Sequence, residues 1–552
     1  MKLVIIGGVA AGATAAARAR RLDEHAEIII LEKGPYVSFA NCGLPYRISG
    51  DIQKRGHLIL QTAEGFFARY RVQVKLNTEA VGIDRQGHKV LTRAKDGSIQ
   101  EEPYDALILA LGGSPVRPPI AGIESPNVFT LWTIPDTDRI EAFIKEQNPS
   151  TALVIGGGFI GLEAAEALAK RGMRTTLVEL MPHVMPPADP EFGSQIAHAL
   201  EEHGVKVITN ASVTSIDWNL RTANLSNGSS VEADLVILAV GVRPNVQLAK
   251  DAGLELGQSG GILVDEFLRT SDPSIYAAGD MVEVVRRVDG ARVRIPLAGP
   301  ANRQGRIAAT NALGGSMRYT GALGTSVVKV MDATFSMTGL SEKAAEAAGI
   351  PCKAVTIHKA HHATYYPGAQ DLSLKIVYDT RNGRVLGAQA FGTEGVEKRI
   401  DVLATAVYAG LTLEQLSELD LAYAPPYSSA NDPLQMAAFA AINDLQGYSR
   451  FVTAKEASGI IARKEAAIVD VRTYNEYLKG HLAGSIHLPV DELRDRMDEL
   501  PEGRLLIVSK AGFEGHLAYR QLVQNGRNDV AYVSGGYTSL SLLPALLEYI
   551  ER

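Results

Sequence analysis

Cysteine is nearly absent: the 552-residue chain holds two, Cys42 and Cys352. Two are too few for the disulfide framework of a secreted domain, so the expected setting is a reducing cytoplasm, where a retained cysteine is a candidate for reactivity. Long apolar runs are missing as well. No stretch reaches the roughly 18 apolar residues of a transmembrane span, and the apolar run behind the N-terminal lysine, Leu3 to Ile6, is too short for the core of a signal peptide. Basic runs are also lacking and the formal net charge is −7, which argues against nucleic acid or an anionic membrane as the main partner. His358, His361 and His362 cluster in HKAHHA without a carboxylate or cysteine at ligand spacing, so no metal is expected. Small-molecule chemistry in three or four soluble domains is what these absences leave.

Against them stand two glycine-rich turns. TALVIGGGFIGLEAAEALAKRG places Gly156, Gly158 and Gly161 between an apolar strand and a helix, and a second strand ends at Glu179, 18 residues past Gly161. A βαβ unit of this spacing sets a pyrophosphate on the helix N-terminus and a carboxylate on the adenosine ribose. KLVIIGGVAAGATAAARARRL repeats the arrangement with Gly7, Gly12 and, 20 residues on, Glu32, although Val9 stands where the middle glycine belongs. TSDPSIYAAGDMVEV reads as a strand broken at Gly279 that presents Asp280 as a hydroxyl acceptor. Beyond residue 320, LSLKIVYD and RVLGAQAFG read as antiparallel strands and KRIDVLATAVYAG as a helix. From about 452 a tail of about 100 residues carries its own βα pattern.

Between the glycine turns lies VSFANCGLPY (37–46), and the order of these features over about 1–446 resembles the flavin-dependent pyridine nucleotide disulfide reductases. The resemblance implies an α/β protein with two dinucleotide-binding (Rossmann-like) domains. FAD would lie on 1–115 and 247–320, NAD(P)H on 116–246, and an α+β dimerisation domain over 321–446 would pair two subunits. Implied FAD contacts are Gly7, Gly12, Glu32, Lys33 and Asp280; those of the nicotinamide dinucleotide are Gly156, Gly158, Gly161, Glu179 and Gly241. Glu179 would clash with a 2′-phosphate, which favours NADH over NADPH, and His183 nearby moderates the preference.

The usual family member has a C-x4-C pair, whereas this chain has only Cys42, with Tyr46 or Arg47 where a second cysteine would fall. That resembles the branch of coenzyme A disulfide reductases, coenzyme A persulfide reductases, NADH oxidases and NADH peroxidases. In the coenzyme A group the cysteine alternates between a thiolate and a mixed disulfide with coenzyme A. In the oxidases and peroxidases it alternates with a sulfenic acid, and those enzymes carry a histidine where this chain has Ala10. SFANCGLPY, HATYYPGA and YAPPYSSANDP have the form of the coenzyme A group. By that resemblance Tyr365 and Tyr423 reach the flavin and Cys42 from the partner subunit, although periodicity alone would make both core aromatics. Coenzyme A contacts fall on Thr14, Arg18, Arg21, Ser38 and Asn41, on Tyr70 and its neighbour Arg71, and on Asn302 and Asn431, which stand where more basic residues or histidine are expected.

The expected activity is NADH-dependent reduction of coenzyme A disulfide, coenzyme A persulfide or polysulfide at Cys42. The alternatives are an NADH oxidase or peroxidase, and an electron-transfer or redox-controlled interaction flavoprotein. Cys42 opens a predicted helix, whose amides and dipole are expected to lower its pKa. Arg18, Arg20 and Arg21 offer a phosphate-binding helix face, and Cys352 reads as a buried strand residue.

DVRTYNEYLKGHLAGSIHLP, from Asp470, resembles the rhodanese sulfurtransferases, which gives a C-terminal α/β domain over 452–552. The loop expected as C-x-x-G-x-R-G reads SKAGFEG, with Ser509 for the cysteine and Glu514 for the arginine. Serine cannot carry sulfane sulfur, and a carboxylate beside the loop repels anions. A structural or substrate-guiding role is expected for this degenerate domain.

Overall fold

The computed structural model describes residues 1–551. The chain forms two compact units: Met1–Met181 with Gly204–Gly324, and Pro182–His203 with the residues from Thr325 onward. Residues 182–203, inside the span read as the second dinucleotide domain, thus cluster with the second unit.

The first unit contains two five-stranded parallel sheets. One runs Ile275–Ala277, Ala106–Leu109, Lys2–Ile6, Glu27–Leu31, Gln73–Lys75. The central strands KLVII, EIIIL and ALIL are almost wholly buried, the continuous apolar pattern of a sheet covered on both faces. Helix α1 (Ala10–Leu22) makes the crossover and buries Ala11, Ala15, Ala16 and Ala19. These small side chains let it approach the helix Ala298–Ala312 closely: a Cβ on Gly305 would lie 2.2 Å from the Ala11 carbonyl oxygen. The other parallel sheet runs Lys206–Ile208, Arg174–Val178, Thr151–Ile155, Leu235–Leu238, Val128–Thr130. Between the two glycine turns, the 3-10 turn Asn41–Gly43 leads into α2 (Leu44–Ser49), which packs against α3 (Phe159–Lys170), the helix of the second glycine turn.

The second unit is built on a five-stranded antiparallel sheet in the order Ser326–Val330, Ala333–Gly339, Val385–Gly392, Asp371–Asp379, Cys352–Ala360. LSLKIVYD and RVLGAQAFG are strands of it, as expected, but nearly every residue in them is buried. Helices Pro190–Glu202, Val396–Ala409 and Pro433–Leu445 pack on the sheet, so these two strands leave no face to water, whereas the edge strand Ser326–Val330 keeps Val327 and Lys329 exposed. Lys375, in mid-strand, is buried among Asp189, Glu191 and Glu342 at 3.0, 2.7 and 2.6 Å.

The C-terminal region adds a five-stranded parallel sheet, Phe451–Val452, Val530–Val533, Leu505–Val508, Ala467–Asp470, Ile486–His487. It covers the free edge of strand Cys352–Ala360, which would otherwise present unpaired backbone groups. Ser534 Oγ accepts from the Thr356 N–H at 2.8 Å and donates to the Thr356 carbonyl at 3.0 Å. His358 bridges Ser539 and Ser373, both at 2.8 Å. Cys352 opens its strand half-buried, more open than the buried position expected of it. Among the described residues no helix is long and apolar enough to cross a membrane.

Candidate active site

The first glycine turn is fixed by close backbone approach. Gly7 has φ +98°, and a Cβ there would lie 2.2 Å from the Ala110 carbonyl oxygen; a Cβ on Gly12 would lie 1.8 Å from the Gly7 oxygen. Gly8 N–H donates to Glu32 at 2.9 Å while Gly34 N–H holds the other carboxylate oxygen at 2.7 Å. Val9, at φ −98°, has a backbone conformation open to any residue, as does Gly158 in the second turn at φ −80°. α1 starts without a side-chain cap, so its first N–H groups point at whatever anion the turn receives. Lys33 is exposed just past Glu32. Asp280 follows Gly279 (φ +92°), is half-buried, and receives no hydrogen bond among the described residues. Burial pushes its carboxyl up against the opposing pull of Arg294. An acceptor left open beside a pyrophosphate cradle fits FAD.

The second turn repeats the plan. Gly157 N–H donates to Glu179 at 2.6 Å and Met181 N–H to the other oxygen at 2.8 Å. Gly156 and Gly161 make the same tight approaches, whereas a Cβ on Gly158 or Gly241 would meet open space. These two are where a ligand backbone has room. α3 also starts without a side-chain cap, which fits a second dinucleotide. His183 belongs to the other unit and engages the carbonyl of its neighbour Val184 at 2.8 Å.

Cys42 is exposed in the 3-10 turn, ahead of α2 rather than inside it. Asn41 Oδ1 accepts from the Cys42 N–H at 3.1 Å and lies 3.8 Å from the sulfur. The expected fall in its pKa is overturned within the protein shell: desolvation, then the charges of Glu163 and Asp280, push the thiol up, and its own backbone N–H opposes them weakly. Glu163 was invisible as a partner in the sequence. It sits on α3 two residues past Gly161, accepts a hydrogen bond from the Tyr46 hydroxyl at 3.2 Å, and is raised to about 7 chiefly by burial and further by Glu166.

The residues read as substrate-binding divide. Thr14 donates to Asn302 at 2.7 Å, and one turn along, Arg18 donates to Thr310 at 3.2 Å, with Arg21 and Arg306 close enough for their charges to act on Arg18. A polar stripe thus runs between α1 and Ala298–Ala312. Arg306, four residues after Asn302, belongs to it and was missed; the i,i+4 spacing was the available signal. Arg20 is a correction: its buried guanidinium donates to the carbonyls of Tyr70, Asp23, Glu24, Ala26 and Arg71, so it welds a helix end and leaves no face to phosphate. Arg71, at φ +50°, is exposed and lies over Phe67. Ser38, at φ +48°, is tied by its backbone to Gly8 and Leu60.

In the second unit Tyr365 is 75% exposed and Tyr423 48%, so neither is a core aromatic; their hydroxyls lie 3.1 Å apart. A cavity of about 480 Å³ opens beside Tyr423, lined also by His361, Lys398, Arg399 and Tyr427. Asn431 is exposed just before Asp432, which caps the helix Pro433–Leu445 and pairs with the buried Arg399 at 2.9 Å. Ser509 is fully buried, its Oγ accepting from the Gly512 N–H at 2.9 Å, and Glu514 lies in the first turn of the helix Phe513–Gln524. Among the described residues no His, Cys, Asp or Glu cluster is arranged to hold a metal.

Comparison with known proteins agrees with this geometry. Residues 1–305 match the pyridine nucleotide-disulphide oxidoreductase model, 325–433 its dimerisation domain and 453–542 a rhodanese-like domain. A coenzyme A disulfide reductase of Staphylococcus aureus (strain bovine RF122 / ET3-1) is 38% identical over 80% of this chain and 99% of its own length. An NADH oxidase of Methanocaldococcus jannaschii is 34% identical over 81% and 99%. Among solved structures, reduced Bacillus anthracis CoADR-RHD superposes with TM-score 0.96 at 43% identity, covering 100% of this chain and 99% of that one. An NAD-dependent persulfide reductase from A. fulgidus gives TM-score 0.92 at 38% identity over 98% and 100%. Two glycine turns closed by buried acids, one exposed cysteine between them and three matching family models in this order make the chain a member of the pyridine nucleotide-disulphide oxidoreductases, carrying a C-terminal rhodanese-like domain.

Proposed function

We propose that the protein is a homodimeric FAD enzyme that uses NADH to reduce coenzyme A disulfide, coenzyme A persulfide or polysulfide at Cys42. The observation that carries this reading is the single exposed cysteine on the turn between the two dinucleotide cradles. The names of the full-length relatives, a CoADR-RHD and a persulfide reductase, support it. When bound, the flavin and NADH supply two electrons. The Cys42 sulfur attacks one sulfur of the acceptor, forming a mixed disulfide while the acceptor S–S bond breaks and the departing thiolate takes up a proton. Two electrons and one further proton then return Cys42 to its starting state and release the second thiol. The balance is RSSR + NADH + H⁺ → 2 RSH + NAD⁺.

Gly7, Gly8, Gly12, Glu32 and Asp280 hold FAD in this reading, with Lys33 at the rim. Gly156, Gly158, Gly161 and Gly241 hold the nicotinamide dinucleotide, and Glu179, fixed by two N–H groups, accepts ribose hydroxyls and disfavours a 2′-phosphate. Thr14, Arg18, Arg21, Arg71, Asn302 and Arg306 receive coenzyme A phosphates. Ser38 and Asn41 line the path to Cys42. The second subunit brings Tyr365 and Tyr423 to protonate the departing thiolate, with Asn431 nearby; their exposed, mutually bonded hydroxyls support this.

The relative called an NADH oxidase favours a second reading, oxygen reduction, against which Ala10 replaces the histidine expected of that group. Anaerobic turnover with coenzyme A disulfide or persulfide, loss of that turnover in Cys42→Ser with NADH reduction of the flavin retained, and a coenzyme A mass on Cys42 are the expected results. Turnover unchanged in Cys42→Ser, or NADH consumption only with oxygen, would overturn the proposal.

A further inference from the structure

The cavity of about 480 Å³ beside Tyr423 lies wholly within the second unit, and its floor is tied down. The buried Arg399 donates to the Gly395 carbonyl at 3.1 Å, the His361 carbonyl at 2.6 Å and Asp432 at 2.9 Å, so its charge is committed to the fold. Gly395, at φ +69°, has no room for a side chain, since a Cβ would lie 2.2 Å from Arg399 Nη1. The neighbouring Lys398 lines the cavity half-buried and pairs with no carboxylate among the described residues. Desolvation pushes its ammonium pKa down, with Arg399 adding to the fall and Asp432 opposing it. The helix Val396–Ala409 begins at Gly395 without a side-chain cap, so its first N–H groups open on the same space. His361, nine-tenths buried, lines it too: Nδ1 meets the Gln370 backbone, and Nε2 has no partner among the described residues. Glu394 and Glu397 complete the polar lining as exposed carboxylates, neither paired with a cation among the described residues. A plain anion entering here meets two carboxylates, and a plain cation meets Lys398 and the positive end of a helix. A small zwitterion satisfies both sets.

We propose that this cavity binds the α-amino acid group of a small thiol. The carboxylate lies on Lys398, His361 and the first N–H groups of the helix Val396–Ala409, and the ammonium on Glu394 and Glu397. Binding stands on the cavity alone; the chemistry deepens the reading of Cys42 as the attacking sulfur and rests on it. With Tyr423 brought to Cys42 by the second subunit, the zwitterion is the departing half of an unsymmetrical acceptor, a mixed disulfide of coenzyme A with an amino-acid thiol. The stripe of Arg18, Arg21 and Arg306 takes the coenzyme A half. The Cys42 sulfur attacks the coenzyme A sulfur, a Cys42–coenzyme A disulfide forms as the acceptor S–S bond breaks, and the departing thiolate takes up a proton from Tyr423. Two electrons and one further proton release coenzyme A and return Cys42 to its starting state. The balance is CoAS–SR + NADH + H⁺ → CoASH + RSH + NAD⁺.

The test is steady-state NADH oxidation by the FAD-loaded dimer with mixed disulfides of coenzyme A and cysteine, cysteamine or 3-mercaptopropionate. These present a zwitterion, a cation and an anion on nearly the same chain. Wild type is expected to favour the cysteine disulfide over either of the others by at least about tenfold in kcat/KM. Lys398→Met should cut the preference for cysteine over cysteamine to about twofold or less, and Glu394→Gln with Glu397→Gln should do the same to the preference over 3-mercaptopropionate. A glutathione mixed disulfide, run alongside, tells free cysteine from a peptide thiol: whichever is faster names the source, and both slower than cysteamine counts against the site. Equal kcat/KM for the three, a preference for a singly charged thiol, or a preference that both variants retain overturns the proposal. Flavin absorbance and dimer mass identify folded variants, and wild-type selectivity decides alone if none folds. Calorimetric binding of S-methylcysteine needs no reaction at Cys42. Binding about tenfold weaker in Lys398→Met upholds the site even where no disulfide turns over and the proposed function fails; no binding to wild type overturns the site whatever the turnover.

Discussion

Cys42 and Ser509 occupy comparable places, each in a turn leading into a helix, and they differ in how completely the fold has satisfied them. Ser509 is fully buried, accepts from the Gly512 N–H, and its backbone carbonyl accepts from Tyr537 N–H at 2.7 Å. Cys42 is exposed, its sulfur hydrogen-bonded among the described residues to Asn41 Oδ1 alone, at 3.8 Å, and the nearby acid Asp280 has no hydrogen-bond donor among them. A reactive position is left unsatisfied by the protein because its partner comes from outside; a position whose bonds are all internal has nothing to offer a substrate. By that criterion we propose that the C-terminal loop is part of the scaffold; its neighbours Ser534 and Ser539 bind the edge of the antiparallel sheet.

The largest expected contrast is in turnover. Cys42→Ser should lower coenzyme A disulfide reduction by about 1,000-fold or more, because a serine hydroxyl is not ionised at neutral pH, whereas Ser509→Ala should leave it within about twofold. Steady-state NADH oxidation with coenzyme A disulfide measures both. Comparable losses in the two variants would erase the distinction. The next contrast converts one site toward the other. Ser509→Cys alone should stay near background in thiosulfate sulfurtransfer, since Glu514 still repels the anion, while adding Glu514→Arg should raise the rate by at least about tenfold. A rate unaffected by residue 514 would show that charge is not what silences the loop.

How far the sequence reached follows the same line between local and assembled features. The glycine turns and their acids were legible because a βαβ unit has fixed spacing, and the antiparallel strands because their pattern is local. The hydrogen bond from Gly8 to Glu32 was not legible because the two residues lie 24 positions apart. Arg20 was misread because nothing in ARARRL says which arginine turns inward to five carbonyls. The direction expected for the Cys42 pKa is reversed for the same reason: the desolvation that leads the shift, and after it Glu163 and Asp280, come from distant segments. Tyr365 and Tyr423 came from family resemblance, and periodicity would have buried both.

The two regions should also respond to pH with opposite sign. His358, beneath the helix that follows Ser534, is half-buried and depressed to about 4 by desolvation. A depressed histidine is neutral in the fold and charged when unfolded below about 6.5, so its stabilisation is present above that pH and is lost as pH falls from 6.5 to 4, on the order of 3 kcal/mol. Glu163, raised to about 7, contributes stability that is present below its ordinary value near 4.5 and lost as pH rises through 7. Hydrogen exchange at pH 5 and pH 7.5 should therefore show the contact between Thr356 and Ser534 weakening in acid and the α2–α3 contact weakening toward alkaline pH. His358→Gln should flatten the first trend and Glu163→Gln the second; trends of the same sign in wild type would contradict the assignment.

The smallest effect is the most local. Ser509→Ala removes the buried acceptor of the buried Gly512 N–H, and an unpaired buried donor costs about 1–3 kcal/mol. At about 1.4 kcal/mol per factor of ten, the Gly512 amide should exchange at least fivefold faster in the variant under conditions where exchange reports local opening. Cys42→Ala removes no comparable bond, since the Asn41 side chain keeps its hydrogen bond from the residue 42 N–H. Amides of the Asn41–Gly43 turn should then be unchanged while Gly512 accelerates. Equal acceleration at both turns would mean that Cys42 is held by the fold as firmly as Ser509, and the criterion separating a reactive position from a structural one would lose its basis.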